Sequence, residues 1–248
     1  MNTDQYPIYW QGKNLTAHIL FSGAGVAQQI WVEHKTGSIL FDAGDGTLRD
    51  LLKKKLDYRK IKGIVFTHGH FDHIGGLYSL LGYLRMKRRT KSLPIYLPKD
   101  CAEPTLILKA YIKHYQKSIP FKINIKEVNP KDNFTLAGMK IRAYKMVHCG
   151  SVKGPDGKEM ILAPVPALGY RITYKNESIA ISGDTGTDGD LESLVKGVDL
   201  AIIEATFRSS KGIPKEAIEK VHLSEDVARK IGKRAKEFML IHKGKRKI

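Results

Sequence analysis

Three histidines and an aspartate fall within six residues of this chain, in His68-Gly69-His70-Phe71-Asp72-His73, and nothing else in the sequence restricts its fold so strongly. The segment follows Gly63-Ile64-Val65-Phe66-Thr67, an apolar run that reads as a buried strand. Four ligand-type side chains at the end of such a strand require a fold that opens a polar pocket there. A loop leaving a strand can curl so that alternate side chains converge on different points. His68 and His70 can then serve one metal ion while Asp72 and His73 serve a neighbour. Imidazole and carboxylate suit zinc, and open coordination positions keep water available. The competing reading is an accidental histidine-rich turn. It would suit a lone histidine, but here four ligand types stand between a buried strand and Ile74-Gly75-Gly76.

Around this segment the hydrophobic pattern alternates between strand and helix. Strands are expected at residues 17–21, 29–34, 38–42, 63–67, 94–97, 122–128, 140–147, 168–174, 178–182, 200–204 and 238–241. Helices are expected at 48–56, 106–115, 190–196 and 223–235, with Leu77, Leu80, Leu81 and Leu84 at helical spacing in another. Residues 150–166 read as a polar, Gly/Pro-rich loop. The strands come in hairpin-like groups, which favours a mixed-sheet α/β sandwich over a purely parallel doubly wound sheet. No repeat or low-complexity linker divides the chain, so residues 1–248 are expected to form a single domain.

Charge bears on partners. The 42 basic and 25 acidic residues give a formal charge of +17, which attracts polyanions. A basic, merely solvated surface would show the same total, so clustering matters. Arg85, Lys87, Arg88, Arg89 and Lys91 crowd one helix end, and Lys243, Lys245, Arg246 and Lys247 crowd the C-terminus. No apolar run reaches the roughly 20 residues of a membrane helix. No signal peptide is visible either, so the cytoplasm is the expected compartment. Cys101 and Cys149 belong to no C-x-x-C pair, which gives a cysteine-based zinc site no support.

Thr67-His68-Gly69-His70-Phe71-Asp72-His73-Ile74-Gly75-Gly76 resembles the signature of the metallo-β-lactamase superfamily. Phe41-Asp42-Ala43-Gly44-Asp45-Gly46-Thr47 resembles its early aspartate–glycine turn. The resemblance implies an αββα four-layer sandwich with mixed sheets and a site for two divalent metal ions, zinc or alternatively iron or manganese. It places the metal ligands at His68, His70, Asp72, His73, His148, Asp184 and His242, with Asp184 in Ser182-Gly183-Asp184-Thr185 bridging both ions. No site for an organic cofactor is assigned.

Finer features resemble ribonuclease Z: Glu204-Ala205-Thr206-Phe207, His222-Leu223-Ser224, Pro166-Ala167-Leu168-Gly169-Tyr170, and Arg246 four residues after His242. They imply a dinuclear zinc phosphodiesterase and endoribonuclease of tRNA 3′ processing, acting on a pre-tRNA-like RNA, with a homodimer as its assembly. Asp72, His222 and Glu204 are the catalytic candidates: Asp72 orients or deprotonates water, and His222, aimed by Glu204, protonates the departing sugar oxygen. The bland alternatives are an N-cap histidine before a helix and an ordinary strand-end carboxylate. Asp42 and Asp45 could fix an imidazole tautomer or simply serve their glycine turn. Cys149 reads as a small inert side chain, and His18, His34 and His114 as histidines of strands or helices without catalytic duty.

The chain also departs from that family. Ribonuclease Z carries a protruding tRNA-gripping arm after its Gly-Tyr strand, whereas Gly169-Tyr170-Arg171-Ile172-Thr173-Tyr174 runs through Lys175-Asn176-Glu177 straight to Ser178. The resemblance is therefore to a short form without the arm. The substrate could equally be a smaller phosphodiester, or a thioester, lactone or sulfate ester cut by another hydrolase of this fold. A non-catalytic nucleic-acid binder is a third class, though a retired enzyme has no need to keep every ligand position filled.

Overall fold

A computed structural model describes residues 8–154 and 159–244. Fifteen strands are described: β1 (Ile8–Gln11), β2 (Thr16–Gly23), β3 (Ala27–His34), β4 (Gly37–Phe41), β5 (Ile61–Val65), β6 (Leu93–Pro98), β7 (Ile123–Val128), β8 (Asn133–Leu136), β9 (Met139–Lys145), β10 (His148–Lys153), β11 (Glu159–Val165), β12 (Leu168–Tyr174), β13 (Glu177–Ile181), β14 (Leu200–Glu204) and β15 (Glu237–Ile241). The helices are α1 (Thr47–Lys53), α2 (Phe71–Ile74), α3 (Leu77–Met86), α4 (Ala102–Tyr115), α5 (Leu191–Val195), α6 (Lys215–Lys220) and α7 (Glu225–Gly232).

Strands β1 to β7 form one sheet in sequence order; a second runs β15-β14-β13-β12-β9-β8. Each is mixed. β1 to β4 pair antiparallel and β4 to β7 parallel. In the second sheet β8, β9, β12 and β13 pair antiparallel, whereas β13, β14 and β15 pair parallel. Period-two alternation sorts the side chains into layers. On β14, Leu200 and Ile202 point to the core between the sheets, with Ile39, Phe41, Val65 and Ile181; Ala201 and Ile203 point outward to Leu194 and Ala228 of α5 and α7. On the other sheet Leu40 and Ile64 pack outward against Leu51, Leu80, Leu84 and Leu108 of α1, α3 and α4. The result is the expected helix–sheet–sheet–helix sandwich. Among the bonds that pin the sheets together, Tyr170 donates its hydroxyl to the Phe66 carbonyl at 2.9 Å, and the Leu168 amide donates to the Thr67 carbonyl at 2.9 Å.

Residues 150–166, expected as a loop, instead lie largely in the antiparallel pair β10–β11, with His148 opposite Val165 and Cys149 opposite Pro164. Pro164 read as a breaker, but a two-stranded ribbon has outer edges where a missing N–H leaves no ladder bond unmade. Helix α4 begins four residues before the expected start, because Pro104 lies in its first turn, where proline is tolerated. The short elements β1, β8, α2 and α6 gave no periodic signal. His18, His34 and His114 lie on β2, β3 and α4. Arg246, Lys245 and Lys247 lie outside the described residues. Among those described, no helix is long and apolar enough to cross a membrane.

Candidate metal centre

Ligands gather outside the carboxyl ends of parallel strands, and this chain places its chemistry there in both sheets. Asp42 follows β4, His68 follows β5, Asp184 follows β13, Glu204 ends β14 and His242 follows β15. Asp42 and His242 have positive φ, 56° and 53°, and Gly183 ahead of Asp184 has φ 62°. A non-glycine residue held there costs about 1–3 kcal/mol, so the surroundings must over-determine it.

For Asp42 they do. Its carboxylate accepts from the Thr67 amide at 2.8 Å and the Thr67 hydroxyl at 2.9 Å, and lies 2.8 Å from His73 Nδ1. Nδ1–H donating to that carboxylate directs the His73 Nε2 inward. Asp45, the other candidate partner, is exposed, and its backbone carbonyl rather than its carboxylate takes a bond from Gln29. The two turns touch so closely that a Cβ on Gly44 would lie 2.2 Å from the Asp72 carbonyl. Only glycine fits there.

The expected ligands converge in two triads. His68, His70 and His148 form one, and Asp72, His73 and His242 the other. His148 Nδ1 lies 2.7 Å from the Val221 carbonyl, which turns its Nε2 toward His70 Nδ1 at 3.0 Å. His242 Nε2 is 3.2 Å from Asp72 Oδ2, and the Gly25 amide donates to that same oxygen at 2.9 Å. Asp184 stands between the triads. Its Oδ1 is 3.4 Å from both His73 Nε2 and His242 Nδ1, and its Oδ2 is 3.9 Å from both His68 Nε2 and His148 Nε2. Cys149 stays out of this cluster; it packs beside Ala217 and Val221, and burial pushes its thiol up.

Burial holds His68 well below the ordinary histidine pKa, with His73 adding repulsion. Burial likewise pushes His148 down to about 3. His73 moves the other way, because Asp184 and Asp42 outweigh its burial and hold its proton well above the ordinary value. Asp184 is buried, yet His242 and His73 hold its carboxyl well below the usual range. Unpaired atoms identify what the cluster lacks. His68 Nε2, His73 Nε2 and Asp184 Oδ1 are buried with no hydrogen-bond partner among the described residues. Unpaired polar atoms cost about 1–3 kcal/mol each when buried. A cation is the partner that satisfies imidazole nitrogens and carboxylate oxygens together, so this donor set fits metal ions.

Beside the triads, Glu204 is buried and fully engaged: it accepts from the amides of Thr185 (3.2 Å), Leu223 (3.0 Å) and Thr206 (2.9 Å), and meets His222 Nδ1 at 2.9 Å. Burial opposes a charge on His222, but Glu204 and then Asp184 overcome it and raise its pKa to about 9. Three further contacts were not anticipated: the Gly25 amide on Asp72, Ser22 Oγ accepting from the His242 amide at 2.7 Å, and Thr206 Oγ1 at 3.1 Å from His242 Nδ1. Only Thr206 had a signal, as the hydroxyl within Glu204-Ala205-Thr206-Phe207.

Comparison with known proteins agrees with this geometry. Residues 38–242 match the family model of the Beta-lactamase superfamily domain, and the chain belongs to that family. Within it, the chain is similar to the ribonuclease Z of Borreliella burgdorferi (strain ZS7), at 28% identity over 256 residues covering 86% of this chain and 78% of the relative. It is also similar to the ribonuclease Z of Methanococcus aeolicus, at 27% identity over 262 residues, 87% of this chain and 80% of that protein. Among solved structures, the short form of human tRNase Z (ELAC1) superposes with a TM-score of 0.74 at 23% identity, covering 92% of this chain and 93% of that one. A diphosphatase of the PhnP family gives 0.67 at 20% identity, covering 96% and 88%.

Proposed function

We propose that the chain is a metal-dependent phosphodiesterase that cleaves RNA, as its ribonuclease Z relatives are named for doing, with a pre-tRNA-like molecule as substrate. The observation that carries this is the Glu204–His222 pair, 2.9 Å apart, beside a cluster of seven ligand-type side chains. In this reading His68, His70 and His148 would hold one ion, Asp72, His73 and His242 would hold the other, and Asp184 would serve both. Two divalent ions, zinc or else iron or manganese, would supply Lewis acidity and lower the pKa of water at neutral pH. Asp72 takes up or directs the proton of the attacking water. Glu204 keeps the Nδ1–H of His222 engaged, and His222 gives its Nε2 proton to the departing sugar oxygen. One domain over residues 1–248, a homodimeric assembly and a cytoplasmic setting complete the reading.

A second reading has its own support. β12 and β13 are joined only by Lys175-Asn176, with Tyr174 paired to Glu177, so no arm for gripping tRNA stands there. A smaller phosphodiester needs no such arm, and the PhnP-family neighbour is named a diphosphatase. Metal analysis followed by assays on pre-tRNA, bis-p-nitrophenyl phosphate, S-lactoylglutathione and a chromogenic β-lactam separates the readings. About two metal ions per chain with cleavage of pre-tRNA at a defined 3′ site is the expected result. Turnover of the small diester without pre-tRNA would shift the conclusion to the second reading, and thioester turnover alone would overturn both.

A further inference from the structure

The basic cluster at residues 85–91 takes no part in the metal centre. Between residues 85 and 126 the chain carries eleven Lys and Arg residues against Asp100 and Glu103, a local excess of nine out of a total of +17. The structure divides the cluster by role. Arg89 turns inward and donates to the carbonyls of Ile61, Lys91 and Ser92, an anchor for the chain leaving α3. Arg85 and Arg88 instead line a cavity of about 520 Å³ with Met86, Thr90, Ser118 and Pro120, and no carboxylate lines it.

Two features mark this cavity as more than a solvated face. The first is Arg88. Helix α3 closes with the Arg89 amide bonded to the Leu84 carbonyl and the Arg88 amide to the Arg85 carbonyl, both at 3.0 Å. That is the Schellman pattern, and Arg88 occupies its left-handed position with φ 51°. Glycine is the residue that adopts this conformation without strain. An arginine there loses local stability and gains a guanidinium at the cavity wall. The second is Arg85, whose guanidinium stacks on the Tyr115 ring at 4.3 Å and reaches Ser118 Oγ at 3.3 Å. Its Nε is buried, and the Tyr111 hydroxyl lies close enough to the guanidinium to feel its charge. Tyr115 continues the surface to Tyr78, hydroxyl to hydroxyl at 3.2 Å, and Tyr78 is 50% exposed in the first turn of α3.

We infer that this cavity binds a backbone phosphate of the RNA remote from the metal centre, at the end of the seven-stranded sheet where β5, β6 and β7 begin, with Arg85 and Arg88 as its donors and Tyr115 and Tyr78 as the aromatic surface beside them. The inference rests on the proposed RNA substrate. An anionic membrane surface could use the same charges, but a concave site with two planar guanidiniums and two hydroxyl side chains suits a single phosphate.

Arg88→Gly is the decisive variant, because the two roles of the position pull in opposite directions. Relief of the left-handed arginine leaves the melting temperature equal or higher, so loss of fold does not confuse the result. The full chain and the variant are titrated with a fluorescein-labelled RNA stem-loop bearing a single-stranded 3′ extension, between about 50 and 200 mM NaCl. Arg88→Gly is expected to bind roughly three- to tenfold more weakly, with a slope against log salt shallower by about one. Arg88→Lys should recover much of the loss, and Arg85→Lys should lose affinity while keeping its charge. Turnover of bis-p-nitrophenyl phosphate should be unchanged in all three. Equal RNA affinity and equal salt slope for wild type and Arg88→Gly would overturn the inference. So would a loss confined to phosphatidylserine vesicles. If the wild type turns over no phosphodiester, the proposed function fails, while the RNA titration still decides the cavity.

Discussion

The two sheets build one site in different ways. The seven-stranded sheet delivers His68, His70, Asp72 and His73 on one short excursion after β5, braced by Asp42. The six-stranded sheet delivers Asp184, Glu204 and His242 singly from three adjacent parallel strands, with His222 on the segment ahead of α7. One half is a local device and the other a product of topology. Parallel pairing sets the ends of β13, β14 and β15 side by side, so residues separated by tens of positions meet. Each triad takes two ligands from the first half and one from outside it, so a change at a single ligand such as His68 should affect its own triad, whereas a change at Asp184 should affect both.

The largest effect tests that asymmetry. Asp184→Asn is expected to weaken both ions and to lower turnover by several kcal/mol of barrier, on the order of 10³-fold or more. His68→Ala should release one ion preferentially and leave the other measurable by native mass spectrometry. If His68→Ala empties both positions while Asp184→Asn empties neither, the division into two triads is wrong.

The next effect separates metal holding from proton transfer. His222→Ala and Glu204→Gln should keep full metal content yet lose roughly 10²–10⁴-fold in turnover on RNA, the usual share of general acid catalysis. A p-nitrophenolate leaving group needs no proton, so its release should be nearly unchanged. The pH profile carries the sign. Glu204 holds the His222 proton up to about 9 against the pull of burial, so the donor is charged at neutral pH and is lost as pH rises through that value. RNA turnover should fall above about pH 9 in the wild type. That limb should be missing in His222→Ala; a limb that persists would assign the loss to another group.

The same contrast explains what the sequence could reveal. Spacing alone exposes His68 to His73, because all four side chains belong to one turn and their density is improbable otherwise. Asp184, His148 and His242 carry no local pattern, and only resemblance to a family identifies them before the fold is known. The strands of the central core were legible because period-two alternation survives burial, as in Leu200-Ala201-Ile202-Ile203. The β10–β11 hairpin was not, since its glycines and prolines mark a turn and its strands bury little. Ser22 and Gly25 were illegible for another reason: what they supply is a hydroxyl and an amide to residues far away in sequence.

The smallest effects compare how each half orients an imidazole. In the first half Asp42, fully buried and charged, fixes His73; in the second, the neutral hydroxyl of Thr206 lies 3.1 Å from His242 Nδ1. Asp42→Asn should reduce metal affinity by about 10–100-fold, because the amide can present its NH₂ to Nδ1 and favour the wrong tautomer. Thr206→Val keeps the shape and removes neutral bonds to Nδ1 and to the His242 carbonyl at 2.9 Å. The ring bond, worth about 0.5–1.5 kcal/mol, is the one that bears on metal affinity, so the loss should stay near threefold to tenfold. Both are read by competition against a fluorescent zinc chelator. Equal losses at the two positions would mean that charge contributes little to holding these rings, and that packing around each strand end sets their direction instead.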